Sequence, residues 1–125
     1  MKKENKKYLR NKADKLWFQK YLKSICEVCG KPAIQCHHFY HKGNYPHLRY
    51  DKDNAISLCR ACHFVLHFGG NPEIQQKIIE KRGKKWYKLL QKRAHQKPIG
   101  TFLTSQWYQG KIKELQCPKL IKKNQ

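Results

Sequence analysis

Two C-x2-C pairs constrain this chain more than any other feature. They are Cys26-Glu27-Val28-Cys29 and Cys59-Arg60-Ala61-Cys62, with 29 residues between the inner cysteines. Two residues between cysteines let both sulfurs of a turn face one ion, and two such knuckles complete a closed, tetrahedral four-cysteine zinc site. The competing reading is four free buried thiols. The N-terminal stretch Met1-Lys2-Lys3-Glu4-Asn5-Lys6-Lys7 is followed by no apolar run, so we expect no secretory signal and a reducing cytoplasmic setting, where paired cysteines favour metal over disulfides. A chain of 125 residues has a thin core, and structural zinc compensates by contributing folding free energy. Cys36 reads as a small buried hydrophobe and Cys117 as incidental.

Charge sets the class of partner. The chain carries 28 Lys+Arg against 8 Asp+Glu, a formal +20. That excess argues against an enzyme for small neutral substrates and favours a polyanion, nucleic acid or an anionic membrane surface. With 39% hydrophobic and 12% aromatic residues, the chain is too apolar for a disordered polycation. No stretch approaches the roughly 18 apolar residues of a spanning helix, so nucleic acid is the expected partner and a membrane is not.

Three segments follow from patterning. Residues 1–23 read as a lysine-rich tail and a helix whose apolar face carries Leu9, Ala13, Leu16 and Trp17. Residues 24–70 read as a core: a turn at Gly30-Lys31-Pro32, a short strand over 33–39, a long ordered loop over 40–53, a second strand over 54–58 and a helix over 59–68. Residues 71–125 read as a basic helical extension. Asn71-Pro72-Glu73 opens a helix, Gly83 breaks or kinks it, Pro98 and Gly100 turn, and Thr101 or Thr104 caps a last helix ending near Cys117. The expected fold is α+β but mostly helical, a small zinc-stapled ββα centre flanked by basic helices. Trp86, Trp107 and Tyr108 read as core packing by their helical spacing.

Six of the seven histidines lie between residues 37 and 67. His37 and His38 are adjacent at the end of the first strand. His63 and His67 are spaced i, i+4, which puts both imidazoles on one helix face, as a two-ligand metal clamp requires. Cys62 anchors the helix that carries His63, so one zinc would staple the strand and the helix face to face. His41 and His47 read as polar loop residues.

The order Cys26-x2-Cys29, Cys36-His37-His38, Asn54, Cys59-x2-Cys62-His63 resembles the HNH (ββα-metal) nuclease family over about residues 24–68. His63-x3-His67 is similar to the metal clamp of the nuclease colicins in that family. The resemblance implies that His37, His63 and His67 ligate a catalytic divalent ion, Mg2+ or Mn2+ with Zn2+ or Ni2+ as alternatives. It implies that His38 is the general base and that Asn54 ties down the loop and orients it. Products would carry 5′-phosphate and 3′-hydroxyl ends. The chemistry agrees: phosphodiester hydrolysis needs a base with a pKa near about 7 and a Lewis acid, and histidine is the side chain that titrates there.

The stretch His38-Phe-Tyr-His-Lys-Gly43-Asn-Tyr-Pro46-His-Leu48-Arg49-Tyr50 resembles more narrowly the phage recombination nucleases of the NinG/Rap type. That resemblance implies branched or recombining DNA as substrate, a phage source acting in the bacterial cytoplasm, and a homodimer if junctions are cut. This sequence differs from that group in having His63 after Cys62, where asparagine is expected, and in its doublet.

Arg49, beside the doublet, and Lys42 in the same loop are candidate phosphate contacts, as are Lys84 and Lys85 among the flanking basic residues, which also include Arg82 and Arg93. No group of side chains announces a base-reading code, so weak sequence preference is expected. From a different functional class, the alternative is a catalytically silent zinc module that binds DNA in phage replication, recombination or packaging.

Overall fold

The computed structural model describes residues 5–69, 72–97 and 103–117. Residues 21–100 belong to one compact unit; residues 1–20 and 101–125 belong to another. The fold is α+β and mostly helical, with a single two-stranded sheet among the described residues.

In the larger unit, β1 (Gln35–His38) pairs antiparallel with β2 (Ala55–Leu58). The register sets His37 opposite Ile56 and His38 opposite Ala55. Side chains alternate along a strand, so the adjacent histidines are directed to opposite sides. Between the strands, residues 39–54 form the ordered loop, with short 3-10 turns over Pro46–Leu48 and Lys52–Asn54.

The helix α2 (Arg60–Gly69) follows β2 directly, then α3 (Pro72–Arg82) and α4 (Lys84–His95). Pro72 stands at the start of α3 as the sequence predicts; the expected cap Asn71 lies outside the described residues, as do Pro98, Gly100, residues 1–4 and the C-terminal basic tail, while Lys6 and Lys7, expected in the N-terminal tail, open the helix Lys6–Tyr21. Gly83 separates α3 from α4 with φ of +99°, a backbone conformation that side-chain-bearing residues avoid. The core joins knuckles, sheet, loop and helices: Cys26, Cys59 and Cys62 pack with Phe39, Leu48, Ile56, Leu58, Ile74, Ile78, Leu90 and Ala94. Trp86 lies edge-on to Phe39 at 5.1 Å between centroids, so it packs as the sequence predicts.

The smaller unit contains α1 (Lys6–Tyr21) as far as Lys20, and α5 (Ser105–Gln116). Leu9, Ala13 and Trp17 are the buried stripe of α1, and Tyr108, Ile112 and Leu115 that of α5. Thr104 caps α5 by accepting from the Trp107 N–H at 3.1 Å. At the other end of α5, the Lys20 ammonium donates to the carbonyls of Glu114, Leu115 and Cys117, where a cation meets the negative end of the helix dipole.

Candidate functional site

The two knuckles bring Cys26, Cys29, Cys59 and Cys62 together, every sulfur within 4.8 Å of the others. The Cys29 and Cys59 sulfurs are 3.5 Å apart. Tetrahedral zinc with Zn–S of about 2.3 Å sets its sulfurs about 3.8 Å apart, so the four cysteines could hold a structural zinc. The backbone is arranged for thiolates: Val28 N–H donates to Cys26 Sγ, and Cys62 N–H donates to Cys59 Sγ, each at 3.4 Å. Burial opposes ionisation of Cys26, but donors from Cys29, Cys59 and Val28 outweigh it and bring the thiol down to about 6. Cys62 moves the other way, pushed up by burial and by the neighbouring sulfurs. Cys36 stands apart as a half-buried thiol pushed up to about 12, first by burial and then by Glu27.

A second cluster stands at the sheet edge. The imidazoles of His37 on β1 and of His63 and His67 on α2 offer three nitrogens, all within 4.8 Å of one another. The His63 and His67 rings are 4.4 Å apart, and His37 meets them at 5.8 and 5.4 Å. Three neutral imidazoles at that spacing could hold a metal ion. Burial, then the fields of His67, His63, His38 and His41, push His37 down to about 3, so it stays neutral with lone pairs for a ligand. Burial and His67 lower His63 as well.

His38 is directed elsewhere. Its Nε2 lies 2.8 Å from the Arg49 carbonyl oxygen. A carbonyl only accepts, so Nε2 carries a proton, and in the neutral ring Nδ1 holds the lone pair. Asn54 is completely buried and secures the same loop. Its Oδ1 accepts from Tyr40 N–H at 2.7 Å, and its Nδ2 donates to the Tyr40 and Leu48 carbonyls at 3.0 and 3.1 Å. Asn54 therefore reaches His38 through the loop backbone, one residue from the carbonyl that His38 contacts.

Among the residues expected to meet phosphate, Lys42, Lys84 and Lys85 are exposed, and Arg49 is half-buried with its guanidinium 5.9 Å from the Tyr50 ring centre. Arg82 and Arg93, read from the sequence as part of the basic grip, are engaged in ion pairs. Arg82 binds Glu27 and the Ala55 carbonyl, and Arg93 binds Asp51 and Asp53. Of the loop histidines, His41 accepts from Gly43 N–H, while His47 Nε2 donates to the Arg93 carbonyl at 2.9 Å.

Sequence reasoning missed Glu27, Asp51 and Asp53. One signal could have found them: in a chain with only 8 acidic residues, an acid inside a knuckle and two more just before Asn54 are conspicuous.

No protein-family model matches this chain, and no solved structure gives a significant match. Over 78 residues the chain is 33% identical to EcoKMcrA, a type IV methyl-directed restriction enzyme of Escherichia coli (strain K12). The match covers 53% of this chain and 27% of that protein, so the chain spans about a quarter of the length of the relative it matches.

Proposed function

We propose that this chain is a metal-dependent endonuclease of the HNH type that hydrolyses DNA phosphodiester bonds and leaves 5′-phosphate and 3′-hydroxyl ends. The observation that carries the reading is the division of labour in the histidine doublet. His37 joins His63 and His67, while the next residue, His38, is held by a backbone carbonyl with Nδ1 as its basic nitrogen. The similarity to a restriction enzyme supports nuclease function in general, and DNA as the substrate.

A divalent ion held by His37, His63 and His67 would supply Lewis-acid stabilisation of the charge that develops on the phosphate and on the leaving 3′ oxygen. His38 Nδ1 removes the proton of the attacking water. The Arg49 carbonyl keeps Nε2 protonated and so fixes which nitrogen acts. Asn54 holds the Tyr40 and Leu48 carbonyls and prevents that loop from drifting away from His38. The four-cysteine site keeps β1 and α2 in register, so His37 meets His63 and His67 without a large core behind them. Exposed Lys42, Lys84 and Lys85 draw in the duplex, with little demand on its sequence. Branched phage DNA is the finer substrate that the loop over residues 38–50 suggests.

The test is cleavage of plasmid, linear, flapped and four-way junction DNA with Mg2+ or Mn2+, comparing wild type with His38→Ala. The variant should lose cleavage while keeping DNA affinity and zinc content. Equal cleavage by both proteins would remove His38 as the base. A wild type that binds DNA tightly but cuts none of these substrates with either metal would favour the silent zinc module.

A further inference from the structure

The helix α4 lies beyond the segment that carries the knuckles, the doublet and Asn54, yet it grips the loop behind His38 at three points. Arg93 Nε donates to Asp51 Oδ2 at 3.1 Å, and its Nη2 donates to Asp51 Oδ1 at 3.1 Å and Asp53 Oδ2 at 2.8 Å. The Arg93 carbonyl accepts from His47 Nε2 at 2.9 Å. Two turns earlier, Trp86 Nε1 donates to the Asp53 carbonyl at 2.9 Å. These contacts bracket Arg49 on both sides, from His47 before it to Asp51 and Asp53 after it.

The bracketing is rigid where it matters. Asp51 N–H returns to the Leu48 carbonyl and Arg49 N–H to the Pro46 carbonyl, each at 3.1 Å, so residues 46–51 are a tight double turn. Asp51 also accepts from Asp53 N–H at 2.8 Å. Rotating this turn swings the Arg49 carbonyl, and that carbonyl decides which His38 nitrogen carries the proton. A guanidinium fork on two carboxylates fixes direction as well as distance, which a single ammonium cannot do.

We infer that Arg93 is a positioning residue for His38: its fork on Asp51 and Asp53 holds the Arg49 carbonyl where it fixes the His38 ring and tautomer. The inference rests on the reading of His38 as the base, but its geometry can be tested without DNA. The Arg93 ion pairs are partly exposed, with 39% of the Arg93 side chain accessible. Exposed pairs contribute little to stability, so removing this one should disturb the site more than the fold.

The experiment compares zinc-loaded full-length wild type, Arg93→Ala and Arg93→Lys by long-range 1H–15N spectroscopy of the imidazoles and by single-turnover cleavage at saturating DNA. In the wild type, His38 should be one Nε2–H tautomer. In both variants its ring nitrogens should move toward the averaged shifts of exchanging tautomers, while the backbone amides of β1 and β2 stay in place. The cleavage rate should fall about tenfold to a hundredfold, as expected for a misoriented group, with DNA affinity within about twofold of wild type. Arg93→Lys keeps the charge and the aliphatic stem, so a failure of Arg93→Ala to fold leaves the test standing. A His38 ring unchanged in the lysine variant overturns the inference, whether or not the chain cuts DNA. So does a variant whose only defect is weaker, less salt-sensitive DNA binding. A wild type that does not cut DNA, but whose His38 ring responds to Arg93, would remove the nuclease reading and uphold the positioning role.

Discussion

Arg82 and Glu27, 55 residues apart in the chain, form a two-pronged ion pair that fastens the end of α3 to the first cysteine knuckle. The same guanidinium donates to the Ala55 carbonyl at 2.7 Å, and Glu27 also accepts from Ser57 N–H at 2.8 Å. Knuckle, β2 and α3 are thereby locked through one half-buried carboxylate. Burial opposes its charge, but Arg82, Ser57 and Lys23 together hold Glu27 below the ordinary carboxylate range. Removing only the cation leaves a half-buried carboxylate with Ser57 N–H but without its guanidinium, which is the costly way to break such a pair. We expect Arg82→Ala to cost about 2 kcal/mol in urea unfolding. Arg82→Ala/Glu27→Gln should recover part of that loss. A double variant as unstable as the sum of its parts would show that the two residues act independently.

Zinc should govern folding of the unit over residues 21–100. Its core includes three of the four cysteines, and a thin core gains much from a structural ion, whose binding is on the order of 10 kcal/mol in small metal domains. Chelation should abolish the far-UV helical signal of this unit and added Zn2+ should restore it. Cys59→Ser removes a sulfur that contacts Cys29 and accepts from Cys62 N–H, so it should both lose zinc and unfold. A stable, zinc-loaded Cys59→Ser protein would contradict the four-cysteine assignment.

These two cases divide what the sequence makes legible from what it hides. The knuckles, the i, i+4 pair His63 and His67, the break at Gly83 and the cap at Thr104 are local chemistry, and each is found where its spacing predicts. The long-range ties are different. Nothing near Glu27 names Arg82 as its partner, and nothing near Asp51 or Asp53 names Arg93. A Lys- and Arg-rich helix looks the same in sequence whether its cations face phosphate or a carboxylate across the core. The orientation of His38 is hidden for a further reason: its partner is a backbone carbonyl, which every residue carries. The resemblance to HNH nucleases assigns roles to His38 and Asn54, but the route between them, through Leu48 and Arg49, is visible only in three dimensions.

Asn54 is legible as a motif residue, and its energetic role follows from its contacts. It is wholly buried and closes three hydrogen bonds with the Tyr40 and Leu48 backbone. Truncation to alanine takes the partner from the Tyr40 N–H and carbonyl and one of two donors from the Leu48 carbonyl, which keeps Asp51 N–H; each group left unpaired away from water costs about 1–3 kcal/mol. Asn54→Ala should therefore cost about 2–3 kcal/mol. Asn54→Asp should be no better, because a carboxylate cannot donate to the two carbonyls. Thermal melts of the zinc-loaded proteins check this. An aspartate variant as stable as wild type would mean that Nδ2 contributes nothing.

His37 gives the fold a defined acid sensitivity. Its folded pKa, about 3, lies below the unfolded value of about 6.5. Between those values the unfolded chain binds more protons than the folded one, so stability falls as pH falls, by up to about 1.4 kcal/mol per pH unit. His63, also lowered, acts in the same direction. We expect wild type to lose stability between about pH 6.5 and 5 more steeply than His37→Asn, in which the titrating group is gone. Urea midpoints at four or five pH values measure both slopes, and parallel slopes would contradict the burial argument. Zinc ligation by the cysteines is common to both proteins and cancels in the comparison.

Salt dependence should separate the cations proposed to meet DNA from those that hold the fold. Lys84 and Lys85 are exposed in the first turn of α4, where positive charge is unfavourable against the helix dipole. Helix stability therefore gives no reason for them, and a polyanionic partner does. Neutralising a lysine that pairs with one phosphate should reduce the slope of log affinity against log salt by about 1. Lys84→Gln and Lys85→Gln should each do so, with melting temperature unchanged or slightly raised. Arg82 and Arg93 are committed to Glu27 and to Asp51 and Asp53, so Arg93→Gln should leave the salt slope at its wild-type value. Fluorescence anisotropy with a labelled duplex over a range of salt concentrations measures all three slopes. The assignment of the two kinds of cation fails if Arg93→Gln flattens the slope as much as the lysine variants do.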